Sequence, residues 1–168
     1  IIPWTMSDSN SYLADVSSLS EDVTYYSNAR VTDVVGNVVT QSSDGFKMDI
    51  TNPILGNISI GNEYQSDTSK VTYVWSDFDD LHSGIADYQY SLGTESGLTD
   101  VIPRTSFGLN ADFASVSITI GGLSLQNEQT YYGTIYAVDM VGNETLAFSE
   151  GVTIDRNGPE AGQIVDGF

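Results

Sequence analysis

Cysteine is absent from all 168 residues, which at once excludes a disulfide framework, a thiolate metal site and a cysteine nucleophile. Basic residues are nearly as scarce: five Lys plus Arg stand against 23 Asp plus Glu, a formal net charge of −18. A surface this acidic repels polyphosphate, so nucleic acid is excluded as a partner, whereas cations are drawn in and solubility is raised. Histidine occurs once, as His82 in an Asp-rich stretch. No GxSxG nucleophile elbow accompanies it, and no triad can be assembled around it. Pairs of carboxylates, which could serve a glycosidase, are inevitable in so acidic a chain. The sequence therefore predicts no catalysis. No apolar run approaches the roughly 18 residues of a membrane span. The opening Ile1-Ile2-Pro3-Trp4 has neither an initiator Met nor a signal-peptide layout, and the expectation is an excerpt or a processed product.

What is present is core material and a repeat. Hydrophobic residues make up 40%, with ten Tyr, six Phe and two Trp, enough for a packed interior. Tyr25-Tyr26 recurs as Tyr131-Tyr132, Asp33 as Asp139, Val35-Gly36-Asn37 as Val141-Gly142-Asn143, Gly45 as Gly151, Asp49 as Asp155, Pro53 as Pro159 and Gly56 as Gly162. Every pair is separated by 106 positions with no gap. A period of about 100 residues is the size of one β-sandwich module, not of a solenoid unit. The expected organisation is the C-terminal half of one module over 1–52, a complete module over 53–158, and the first strand of another over 159–168.

Inside the complete module, apolar residues alternate in short runs, as half-buried strands require. Ile58 and Ile60; Val71, Tyr73 and Trp75; Ile85, Tyr88 and Tyr90; Leu98 to Ile102; Val116, Ile118 and Ile120; Tyr131, Ile135 and Ala137; and Val152 and Ile154 mark about seven strands. Two features are more specific. Trp75 falls in the second long strand, and Leu125 stands six residues before Tyr131, a spacing that Leu19 and Tyr25 repeat. These positions resemble the core Trp and the Leu and corner Tyr of fibronectin type III modules. Asp139 to Asn143 (DMVGN) resembles segments of bacterial Ig-like repeats in adhesins. Asn127-Glu128 stands where fibronectin modules carry Pro-Gly, so both branches stay open. The resemblance implies an all-β fold: Ig-like or fibronectin type III-like antiparallel β-sandwiches in tandem, in an extracellular or cell-surface protein. It makes Trp75, Leu125, Tyr131, Leu19 and Tyr25 structural residues.

Calcium is the sharpest site expectation, because Ca²⁺ takes six to eight oxygens, often from separate loops. In a sandwich of this topology the chain entry and the loops after the second and sixth strands share a pole, which gathers Asp49, Asn52, Asp77, Asp79, Asp80 and Asp139. Glu21 and Asp22 lie at the adjoining pole of the preceding module. Against this, Asp and Asn favour turns for their own hydrogen-bonding reasons, and no DxDxDG loop is present. A second expectation is an aromatic ligand face: if Tyr131 points inward, the period of two sends Tyr132 and Tyr136 outward, where they could stack on sugar rings or merely cover the sheet. Asn57-Ile58-Ser59 and Asn143-Glu144-Thr145 fit the N-glycosylation pattern.

The functional expectation is a non-catalytic spacer or stalk module whose partners are neighbouring modules of the same protein. Pro53 and Pro159 stiffen the short joints by fixing their own φ and extending the residue before them. The alternatives are a module that binds a polysaccharide or protein ligand, and a subunit of an extracellular filament completed by strands of a neighbouring chain.

Overall fold

In a computed structural model, which describes residues 5, 13–108 and 115–167, every regular element is a strand. The chain divides into two compact units, Ile1–Ile50 and Thr51–Phe168.

Among its described residues the first unit holds four short strands: β1 (Thr24–Tyr25), β2 (Asn28–Thr32), β3 (Val38–Ser42) and β4 (Phe46–Lys47). β2 and β3 form an antiparallel hairpin with Val31 opposite Val39, and β1 pairs antiparallel with β4.

The described residues of the second unit hold nine: β5 (Asn57–Ile60), β6 (Tyr64–Gln65), β7 (Lys70–Ser76), β8 (Ile85–Gly93), β9 (Ile102–Ser106), β10 (Ser115–Gly121), β11 (Thr130–Asp139), β12 (Glu144–Phe148) and β13 (Val152–Ile154). They form two sheets. One is three-stranded in the order β10-β7-β5; the other runs β6-β13-β11-β8-β9, with β12 also on β11. All pairings are antiparallel except β6 with β13. The alternation read from the sequence is the reason for this layering. Val71, Tyr73 and Trp75 of β7 turn inward and are buried, as are Tyr131, Ile135 and Ala137 of β11 and Val152 and Ile154 of β13. Between the sheets Trp75 packs on Tyr88 with ring centroids 5.5 Å apart and stacks on Phe107 at 4.7 Å. Gly133 allows the layers to meet: a Cβ there would stand 2.5 Å from Ile60 Cγ2 and 2.8 Å from Tyr73 Cε1.

Two details depart from the sequence reading. The short middle strand is not Leu98 to Ile102 but Ile102–Ser106. Pro103 makes it read as a break, yet β9 lies at the rim of its sheet, where a strand tolerates a residue without an N–H. The irregular spacing of Ile85 and Tyr88 is a register shift, in which Val138 faces Asp87 but Asp139 faces Ile85.

The first unit's internal geometry recurs in the second at the 106-residue offset. Thr24 opposite Lys47 becomes Thr130 opposite Thr153, and Val31 opposite Val39 becomes Ala137 opposite Thr145. Ser27 N donates to Ser43 Oγ at 3.0 Å as Gly133 N donates to Ser149 Oγ at 2.9 Å. Even the left-handed backbone of Asp22, at φ +60°, is repeated by Glu128 at +65°.

Candidate functional site

Three stretches of the second unit meet at one pole of the sandwich. Ile54 N donates to the Asp79 carbonyl at 2.6 Å, Met140 N to the Gly84 carbonyl at 3.1 Å, and Asn143 Nδ2 to the Thr51 carbonyl at 3.3 Å. Chain entry, the 77–84 loop after β7 and the 139–143 turn after β11 are thus tied together by backbone.

The loop and the turn are each organised by one aspartate. The turn from β11 to β12 leaves three successive N–H groups without strand partners, and a carboxylate can take them all. Asp139 Oδ1 accepts from Val141, Gly142 and Asn143 N at 2.9, 2.6 and 2.8 Å, and Oδ2 accepts from Asn143 Nδ2 at 2.7 Å. Gly142 is required because its φ is +98°. Asp33 does the same work in the first unit: Val35 and Asn37 N donate to its Oδ1 at 3.0 and 2.8 Å, and Asn37 Nδ2 to its Oδ2 at 2.7 Å. Those bonds, the Asn37 amide first, hold the Asp33 carboxyl below its usual range. In the 77–84 loop, Asp80 Oδ1 accepts from His82, Ser83 and Gly84 N at 3.2, 2.8 and 2.7 Å. The lone histidine is therefore a member of an aspartate-organised loop.

The other sequence-predicted oxygens divide. Oxygens of Asp80 and Asp139 lie within 4.8 Å of one another. Asp139 is only 2% exposed, while Asp80 Oδ2 is shielded from solvent and has no hydrogen-bond partner. Asp77 turns elsewhere. At φ +64° its Oδ2 accepts from Asn57 Nδ2 at 2.8 Å and Ser76 Oγ at 2.7 Å, and these bonds, Ser76 first, lower its pKa. Asp79 is exposed and accepts from Asp80 N through Oδ1; its charge, after burial, helps raise the Tyr88 hydroxyl pKa. Asn52 is exposed. Asp49 is half-buried near the end of the first unit, where Glu21 Oε1 accepts from Ile50 N at 2.7 Å. Asp22 is exposed.

The aromatic face requires a correction. Tyr136 does point to the outer side of β11, but it is only 7% exposed. The Arg104 guanidinium lies 4.1 Å over its ring, held there by Gln89 Oε1 and Glu144 Oε2, each 2.6 Å away. Period-two reasoning places a side chain on a face but cannot see what a neighbouring strand lays over it. Tyr132 is half-buried beside Gly151, where a Cβ would stand 2.8 Å from its ring. Both glycosylation-type asparagines use their amides internally, Asn57 on Asp77 and Asn143 on Asp139.

Trp75 is 1% and Leu125 5% exposed. The Tyr131 hydroxyl accepts from Gln126 N at 2.8 Å, and the Tyr25 hydroxyl from Ser20 N at 2.8 Å, each five residues upstream. Leu19 N closes a turn onto the Val16 carbonyl. What sequence reasoning missed is the Arg104 clamp on Tyr136, whose three partners come from three different strands.

The strand order, the two-sheet core and the corner tyrosine define an all-β sandwich of the immunoglobulin and fibronectin type III kind. No family model matches the chain, and no curated protein matches it. Among solved structures it is similar to the fn3 domain of the human collagen alpha-1(XX) chain, at 18% identity and a TM-score of 0.38, over 71% of this chain and 100% of that one.

Proposed function

We propose that this chain is a non-catalytic spacer segment of a long secreted or cell-surface protein, built from tandem sandwich modules. The observation that carries the reading is the recurrence, bond for bond, of the corner tyrosine, the aspartate turn and the strand pairings at a constant 106-residue offset. A repeated module that ends in a short joint, Arg156-Asn157-Gly158-Pro159, sets distance and limits bending by its proline. Function then lies in mechanical persistence, and a buried two-layer core resists extension because it must come apart cooperatively. Stretching the chain between two handles tests this. Rupture of the complete module in one force peak, releasing about 380 Å of contour at ~3.6 Å per residue, is the expected result. Extension without any peak contradicts it.

The burial of Tyr136 under Arg104 weighs against the alternative of a sugar-stacking face, and so favours the spacer. Within the same reading, Ca²⁺ is the cation suited to the pole. Asp80 and Asp139 supply hard carboxylate oxygens, and a partnerless, solvent-shielded Oδ2 is the kind of donor a metal satisfies. Calcium titration followed by thermal unfolding tests the point. Saturation to a hundredfold excess over Kd raises stability by about 2.7 kcal/mol, and Asp80→Asn abolishes the rise. An unchanged melting temperature at millimolar calcium contradicts it.

A further inference from the structure

The first unit carries an apolar face with nothing in its own four strands to cover it. In the β2-β3 hairpin the register sets Ala29 opposite Gln41 and Val31 opposite Val39 on one side, and in the β1-β4 pair it sets Tyr25 opposite Phe46. Val31 is 64%, Val39 65% and Phe46 41% exposed. The positions 106 residues on are Ile135, Ala137, Thr145 and Val152; Ile135, Ala137 and Val152 are fully buried. One surface is therefore seen twice, bare in one unit and covered in the other.

In the second unit the cover is known. It is the β10-β7-β5 sheet, with Tyr73, Trp75 and Ile60 in one core with Ile135, Ala137 and Val152. Thr145, the counterpart of Val39, donates to the Pro53 carbonyl just ahead of β5. The bare face thus corresponds, position for position, to one side of an interface already built within the second unit. Single exposed hydrophobics need no explanation, but a set of them whose counterparts 106 residues on are core does. The second unit also gives the order in which the cover arrives: β5 to β10 precede β11 and run into it through Leu125.

We infer that the Ala29, Val31, Val39 and Phe46 face is the docking surface for a β-sheet segment with inward Val-x-Tyr-x-Trp chemistry, supplied in cis by polypeptide N-terminal to these residues. The inference rests on the tandem-module reading and specifies the partner that reading leaves open.

The test extends the full chain by its own residues 53–106, fused directly ahead of Ile1, which the 106-residue offset makes the successor of residue 106. Amide hydrogen exchange is then followed in β2 and β3, with β7, β8 and β11 of the second unit as internal reference. Protection of Arg30, Val31, Val39 and Thr40 rising at least 100-fold, with loss of hydrophobic dye binding, is expected. Val31→Asp leaves exchange unchanged in the 168-residue chain and removes the new protection in the extended one. Unchanged exchange in the extended chain, with the reference strands protected, overturns the inference. So does protection in the unextended chain that rises with concentration, since a second copy is then the occupant. The stretching experiment reads the complete module alone, so failure here with the force peak intact leaves the spacer reading standing.

Discussion

Tyr131 is held by more than burial. Its hydroxyl takes the N–H of Gln126, so the corner between Leu125 and β11 is fixed by a hydrogen bond to the loop it closes. Replacing it with Phe keeps the ring and strands that N–H, which costs about 1 kcal/mol. In Tyr25→Phe the same bond is lost at a half-buried site, and the cost is smaller. Urea unfolding of the two variants checks the order; equal midpoints for Tyr131→Phe and the parent contradict it. Tyr73 behaves differently. Burial first, then the nearby Tyr90 and Tyr136, push its hydroxyl pKa well above the ordinary value, and it donates to the Ser91 carbonyl at 2.6 Å. The folded chain keeps this proton where the unfolded chain has lost it. Its contribution to stability is therefore complete below about pH 10, the unfolded value, and falls as pH rises beyond it. Urea midpoints between pH 8 and 11 should drop less steeply in Tyr73→Phe than in the parent, although the variant starts lower at pH 8. Equal slopes contradict the assignment. At this scale the sequence was informative wherever a residue type has a single structural use. Tyr six after Leu, and Asp three before Gly-Asn, each announce a bond that the structure contains. Asp77 and Asp80 could not be told apart, because which backbone N–H groups a loop aspartate collects depends on the loop's dihedrals and not on its composition.

Among elements, the inward alternation of β7 and the long run of β11 were legible because both faces of the period-two pattern differ sharply in character. β6, only two residues long and parallel to β13, had no such signal. Neither did β9, whose Pro103 disguises a strand at the sheet rim. Nor did the Arg104 clamp, since it joins β8, β9 and β12 around β11 and no local pattern encodes a four-strand meeting. The approach of β11 to β5 and β7 carries its own prediction. Gly133→Ala forces a methyl to within 2.5 Å of Ile60 and 2.8 Å of Tyr73, and overpacking of this kind costs about 1–3 kcal/mol. Adding Ile60→Leu to Gly133→Ala should recover part of the loss, because the nearest clash is with Ile60 Cγ2 and leucine carries no branch at that position. Denaturation midpoints of the single and double variants measure this. A neutral Gly133→Ala would mean that the two sheets do not meet there.

For the whole molecule, composition restricted chemistry more than it chose a role. The absence of cysteine and the −18 charge removed several kinds of chemistry, and the alternating apolar runs supplied the all-β layering. The candidate cation site was only partly legible: strand order put the right loops at one pole, but their side-chain directions left Asp80 and Asp139 together and Asp77 apart. The central claim is that residues 19–49 and 125–155 are one folding pattern used twice. Cross-strand nuclear Overhauser contacts in the intact chain test it most directly. The account predicts paired sets: Thr24 with Lys47 beside Thr130 with Thr153, and Val31 with Val39 beside Ala137 with Thr145. Finding the second set while the first is missing or shifted in register would contradict it.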